Sequence, residues 1–181
     1  MADALPRIRE ILDEEGMQLS RGVVEAVIEI SKGDMRKIIN LFQNIHLKYS
    51  GLDDQSSKIE LESGIGSECS AEDVYRLTGT LAPQKVRSIF ESLMNDSVET
   101  CMESVENLLQ KADANVASVL PGLTELALLE IRGDRHKALK MDVLNVLADV
   151  EKKAARDIPE DLLRDYLVSQ FYILRQMGAG K

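Results

Sequence analysis

Apolar residues recur every three or four positions along most of the chain, and no long stretch alternates between apolar and polar residues. The first pattern places apolar side chains on one face of an α-helix, whereas strict alternation is typical of a half-buried strand. Small polar residues that favour helix starts precede some of these segments, as at Ser20 and Ser70, and glycines follow others, as at Gly16 and Gly79. The pattern therefore predicts an all-α protein.

The composition changes at residues 50–69. This segment is rich in Ser, Gly and Asp, and it carries five acidic residues against a single lysine, Lys58. Such a composition is typical of a linker or a loop. It separates a predicted three-helix unit at residues 1–49 from a predicted helical bundle at residues 70–181. Because a unit of about 49 residues buries little apolar surface, we expect it to depend on contacts with another body.

The charge balance narrows the classes of partner. The chain has 181 residues, 44% of them hydrophobic, and a net charge of −9. Affinity for nucleic-acid phosphates comes from Lys and Arg displacing counterions, so this balance argues against direct, autonomous DNA binding. The sequence also contains neither the roughly 20 consecutive apolar residues of a membrane span nor the features of a signal peptide. We therefore expect a soluble intracellular protein that does not contact a membrane.

No group of residues has the pattern of a complete active site. The two histidines, His46 and His136, have no second ligand at metal-binding spacing, and the GxSxG nucleophile motif is absent. Cys101 lies on an apolar stripe, which favours a small core residue over a nucleophile. Residues 178–181 lack the first glycine and the final Ser or Thr of a phosphate loop. We expect no catalysis, metal or bound cofactor in this chain alone.

The segment SKGDMRKIINLFQ, at residues 31–43, is more informative. Gly33 precedes a predicted helix start, and Arg36 lies in the first turn of that helix. Free N–H groups and a guanidinium in this arrangement can together bind an anion such as phosphate. Asp34 either opposes such binding by its charge or serves as the helix cap. On spacing alone, an ordinary capped helix with a solvated Arg36 is the simpler interpretation.

The same segment resembles the sensor-2 helix of replication factor C small subunits, the AAA+ clamp loaders of eukaryotes and archaea. The family pattern is approximately GDMR-K-apolar-apolar-N-apolar-LQ, and Phe42 stands here in place of the usual Leu. Residues 6–8 and 14–20 resemble the start of the family's lid domain. Residues 74–79 resemble the opening of its collar domain, and residues 147–151 resemble a later part of the collar. The resemblance covers most of the chain.

This resemblance implies an AAA+ lid at residues 1–49, an acidic linker at 50–69 and a helical collar at 70–181. The collar would assemble with other replication factor C subunits into a heteropentamer, which loads a sliding clamp on primer-template DNA in the nucleus. Arg36 would contact an ATP phosphate in cis, but only together with an ATPase core. The phosphate-loop lysine, the Mg²⁺-binding acidic box and the arginine finger of such a core are absent here. ATP and Mg²⁺ would be cofactors of the full-length AAA+ ATPase.

A second function from a different class fits the same helical pattern. The chain would then be a nucleotide-independent adaptor, or scaffold, that binds partner helices through an exposed apolar stripe. A phosphate-loop sequence upstream of Met1 in the parent gene would favour the clamp-loader interpretation. Its absence would favour the adaptor.

Overall fold

The computed structural model describes residues 4–17, 19–49, 69–131, 137–156 and 158–179, and over these ranges it contains nine helices and no strand. The all-α prediction is therefore confirmed. The helices are α1 (Ala4–Glu14), α2 (Arg21–Ser31), α3 (Met35–Tyr49), α4 (Ala71–Leu77), α5 (Pro83–Asn95), α6 (Val98–Ala112), α7 (Val116–Glu130), α8 (Lys137–Ala154) and α9 (Glu160–Ala179). The chain divides into two compact units, Met1–Leu77 and Thr78–Lys181.

The first unit contains α1 to α4 around one apolar core, and α2 packs against both α3 and α4. The buried members of this core come from all four helices and from a position two residues before α4: Ile8, Leu12, Val23, Ala26, Val27, Ile38, Phe42, Ile45, Cys69 and Val74. Burying an aliphatic side chain contributes about 1.5–3 kcal/mol, which offsets the entropy lost by ordering the chain.

Helix α4 belongs to the first unit, which differs from the boundary predicted at residue 70. Val74 is fully buried in the core of the first unit, and the Tyr75 hydroxyl donates a hydrogen bond of 2.8 Å to the Glu29 carboxylate on α2. A helix of seven residues is unstable alone, so the surface that buries its apolar side decides its place. Cys69, assigned from composition to the linker, also lies in this core, while residues 50–68 lie outside the described residues.

Ser70 and Asp73 have the spacing of a capping box, and the structure confirms this prediction at the start of α4. The Asp73 N–H donates to the Ser70 hydroxyl at 3.2 Å, and the Ser70 N–H donates to the Asp73 carboxylate at 3.0 Å. Asp73 replaces the usual Glu or Gln, and its shorter side chain still reaches the serine. The hydrogen bond from the Ser70 hydroxyl lowers the pKa of Asp73, which keeps the cap ionised near neutral pH.

The second unit packs α5 to α9 around a separate core. Helix α9 contacts α5, α6, α7 and α8, so it lies at the centre of the packing. Its buried side is formed by Leu163, Leu167, Val168, Phe171 and Leu174. The apolar spacing predicts two longer helices at the end of the chain, at residues 135–154 and 159–177. They match α8 and α9 to within two residues at each end.

The apolar segment at residues 116–131 contains Pro121 and Gly122, which predict a kink or a break. No break occurs, because α7 runs from Val116 to Glu130. Proline has no N–H, so the Ala117 carbonyl loses its usual helical donor. Ala117 and Pro121 are both exposed, so this side of the helix is open to water. Leu120 and Leu123 are buried on the opposite side, and the Thr124 hydroxyl donates to the Leu120 carbonyl at 2.9 Å. Core packing thus holds the helix through the proline.

The next residue, Gly122, permits close approach of α7 to α5. A Cβ at this position would lie 2.9 Å from Cγ1 of Val86, a stiff β-branched side chain in the core. Alanine improves helix propensity by about 1 kcal/mol, but overpacking costs about 1–3 kcal/mol. We therefore expect Gly122→Ala to lower the free energy of unfolding in urea. The same substitution in a Val86→Ala background should be neutral or stabilising, and an equal loss in both backgrounds would contradict the contact.

Candidate functional site

The turn between α2 and α3 carries the predicted site residue. Helix α2 ends at Ser31, and Lys32 and Gly33 adopt left-handed conformations with φ of 49° and 81°. The Lys32 N–H donates to the Glu29 carbonyl at 3.2 Å, and the Asp34 N–H donates to the Ser31 carbonyl at 2.9 Å. The chain therefore reverses direction within three residues, which places Arg36 in the first turn of α3.

Asp34 is the cap of α3. Its Oδ1 accepts the N–H groups of Arg36 at 3.0 Å and of Lys37 at 3.3 Å. These are two of the N–H groups that a helix start otherwise leaves free. The structure thus decides between the two roles that the sequence left open for Asp34. Because Asp34 already accepts these two N–H groups, an anion bound at this turn would contact the Arg36 guanidinium instead.

Three cations surround this cap. Lys32, Arg36 and Lys37 are all exposed, and none of them forms an ion pair with a carboxylate in the described part of the chain. Asp34 is the one acid between them, and its carboxylate is engaged by the backbone. The turn is therefore locally basic on an acidic chain. A guanidinium here remains available to form charge-assisted hydrogen bonds with a phosphate.

The core below the turn fixes its position. Ile38 and Phe42 are buried on the opposite side of α3 from Arg36, and Met35 packs at the edge of the same core. The packing holds the start of α3, while the arginine side chain points outward. Arg36 is not buried among the helices of the first unit, a position that would have excluded contact with an ATPase core. Its role as a sensor of ATP stays a prediction.

The remaining candidates show no reactive arrangement. Cys101 is buried in the second core, and this burial raises the pKa of its thiol, as expected for a core residue. His46 is half-buried at the end of α3, and His136 lies outside the described residues. Within the described ranges, His, Cys, Asp and Glu form no cluster able to hold a metal ion. No described helix combines the length and apolar character that crossing a bilayer requires.

Two features escaped the sequence interpretation. The first is the left-handed conformation of Lys32 after α2, for which lysine has no special preference. In the second unit, the Tyr166 hydroxyl on α9 donates to the Asp149 carboxylate on α8 at 2.6 Å, and the Lys153 ammonium lies 4.7 Å from the centre of the tyrosine ring. Asp149 lies in the segment that resembles the collar, but nothing in the sequence pairs it with Tyr166, which follows 17 residues later on another helix.

The known proteins that are similar to this chain share one name, replication factor C. No protein-family model matches the chain. Replication factor C subunit 5 of Arabidopsis thaliana is 24% identical over 96% of this chain and 44% of its own length. Replication factor C subunit 5 of Homo sapiens is 21% identical over 96% and 45%, respectively. The replication factor C small subunit of Thermofilum pendens is 28% identical over 85% and 50%.

The chain thus spans about half the length, or less, of the curated relatives that it matches. The similarity includes both compact units, because it extends over nearly the whole chain. It agrees with the resemblance seen in the segment around Arg36 and with the helical architecture. Over nearly all of its length, this chain is a homologue of the replication factor C small subunits.

Proposed function

We propose that this chain supplies the lid and the collar of a replication factor C-type clamp-loader subunit. The first unit acts as the lid and presents Arg36 to the phosphate tail of ATP. The second unit acts as the collar and packs against the collars of other replication factor C subunits. The observation that carries the proposal is the exposed Arg36 at a capped turn, which pairs with no carboxylate among the described residues and lies in a segment with the family's sensor-2 pattern.

The lid needs an ATPase core in order to bind nucleotide. A hydrogen bond to a charged group contributes about 1.5–3 kcal/mol net, whereas even millimolar affinity requires about 4.1 kcal/mol. Arg36 alone therefore does not hold ATP. In the proposed arrangement, the core binds ATP and Mg²⁺, and Arg36 contributes the contact that couples nucleotide state to lid position.

The collar would place this chain in a heteropentamer. Loading of a sliding clamp on primer-template DNA would then be a property of the complete complex, which acts in the nucleus. The net charge of −9 agrees with this division, because an acidic chain is poorly suited to grip DNA by itself. The collar's contribution is assembly, supported by a second unit with its own extended core.

Co-expression with the other replication factor C subunits of the same organism tests the proposal. We expect native mass spectrometry of the purified complex to show one copy of this chain in a hetero-oligomer. An unrelated acidic helical protein, expressed in the same way, serves as the control for unspecific capture. Recovery of this chain alone, under conditions in which the other subunits assemble, would contradict the collar assignment and favour the adaptor.

A further inference from the structure

The carboxylate of Asp34 occupies the backbone groups that a phosphate oxygen would otherwise bind. Its Oδ1 accepts the N–H groups of Arg36 and Lys37, at 3.0 Å and 3.3 Å respectively. N–H groups at a helix start lie at the positive end of the helix dipole, and they are a common binding site for phosphate. The turn therefore carries its own anion at the position where an external anion would bind.

The charges of the turn show what this internal anion prevents. Residues 29–37 carry three basic side chains and two acidic ones, Glu29 and Asp34, so their net charge is +1. Removal of the Asp34 carboxylate would raise this charge to +2 and would free both N–H groups. Free N–H groups beside an exposed guanidinium would form a phosphate site that needs no ATPase core.

We propose that Asp34 is a specificity-determining residue of the lid, which keeps the α2–α3 turn from binding free phosphate. The turn then contacts phosphate only through the Arg36 side chain, and only when an ATPase core holds the nucleotide. This inference rests on the proposed function and concerns the regulation of the same site. Its consequence is that the turn does not retain the inorganic phosphate that hydrolysis releases, so the lid responds to bound nucleotide alone.

Two substitutions separate the occupied N–H groups from the charge. Asparagine at position 34 has no charge, but it keeps an acceptor oxygen and is as good a helix cap as aspartate. Alanine has neither a charge nor an acceptor, so it leaves both N–H groups free. Asp34→Asn and Asp34→Ala therefore differ in whether a side-chain oxygen fills the position of the external anion.

Titration of the full chain with inorganic phosphate, followed by NMR of the backbone amides, tests this inference without an ATPase core. Sodium chloride at equal ionic strength corrects for general salt effects. We expect saturable shifts of the Arg36 and Lys37 amides in Asp34→Ala and none in the unmodified chain. Asp34→Asn should bind phosphate at least about tenfold more weakly than Asp34→Ala, because one hydrogen bond to a charged group corresponds to about that factor or more.

Two further variants serve as controls. Addition of Arg36→Ala to Asp34→Ala should weaken phosphate binding by at least about tenfold, because the guanidinium is then missing. Ser97→Ala removes a comparable cap in the second unit, where the Ser97 hydroxyl accepts the Thr100 N–H at 3.3 Å. The first turn of α6 carries Glu99 and no cation, so this variant should bind no phosphate at its opened helix start.

The outcomes distinguish this inference from the proposed function. Absence of phosphate binding in a folded Asp34→Ala chain, or equal affinities of Asp34→Asn and Asp34→Ala, would overturn the role of Asp34 and leave the clamp-loader proposal standing. Equal binding at the start of α6 in Ser97→Ala would also overturn it. If Asp34→Ala does not fold, Asp34→Gly decides in the same way, because glycine is well tolerated at a helix start and also lacks an acceptor oxygen. The hydrolysis rates of the complete complex test the proposed function separately.

Discussion

We expect the Arg36→Ala variant to lower ATP hydrolysis by about 10- to 100-fold in a complex that contains the ATPase core. The loss of a charge-assisted hydrogen bond to phosphate costs about 1.5–3 kcal/mol, and about 1.4 kcal/mol corresponds to a tenfold change in rate. The measurement is phosphate release at limiting ATP in the presence of the sliding clamp and primer-template DNA. Clamp loading should fall in parallel, because the lid would no longer report bound nucleotide.

The control for this experiment is Arg21→Ala. Arg21 is exposed in the same unit and pairs with Glu25 at 2.7 Å, away from the α2–α3 turn. This variant should retain normal hydrolysis. Neither change should alter the unfolding midpoint or the mass of the complex, because both arginines are exposed. Unchanged rates in Arg36→Ala at limiting ATP would contradict the sensor role.

The second large effect is expected in the core of the collar. Phe171 has no exposed surface and is the largest fully buried side chain, on the helix that contacts all four others of the second unit. Phe171→Ala should lower the free energy of unfolding by about 3–5 kcal/mol, a large share of the 5–15 kcal/mol that stabilises a typical domain. Urea denaturation followed by circular dichroism measures the loss.

The adjacent aromatic residue supplies the matched control. Tyr172 is 39% exposed, and the Arg175 guanidinium carbon lies 5.9 Å from the centre of its ring. We expect Tyr172→Ala to cost less than about 1 kcal/mol, since a cation–π contact at an exposed site contributes about 0.5–1 kcal/mol. Similar losses for the two variants would mean that α9 does not pack as described.

The sequence predicted most helices because their apolar spacing is a local signal. The spacing of Met35, Ile38, Ile39, Phe42 and Ile45 predicts one apolar stripe on the third helix, and the three buried residues of α3 (Ile38, Phe42 and Ile45) all lie on it. The spacing could not place α4, because its partner α2 lies more than 40 residues away and the contact depends on tertiary packing. A kink or a break was expected at Pro121, and the break does not occur, because this exposed position lets water replace the missing hydrogen bond.

The turn around Arg36 was also predictable from the sequence only in part. The motif identified Arg36, but no sequence pattern distinguishes Asp34 as a cap from Asp34 as a repelling charge, because the outcome depends on the backbone angles of Lys32 and Gly33. The apolar positions of α9 were also visible in the sequence. Leu162, Ile173 and Met177 are nevertheless exposed, because which of these positions is covered depends on how the other helices of the second unit pack.

The position of Arg36 beside the ATP phosphates is the central claim, and chemical protection tests it most directly. Phenylglyoxal modifies accessible arginines, and mass spectrometry of the co-assembled complex reports the rate at each residue. With ATP and Mg²⁺ present, Arg36 should react several times more slowly, while the exposed Arg9 of the same unit should react at an unchanged rate. Equal modification of Arg36 with and without ATP would contradict the account.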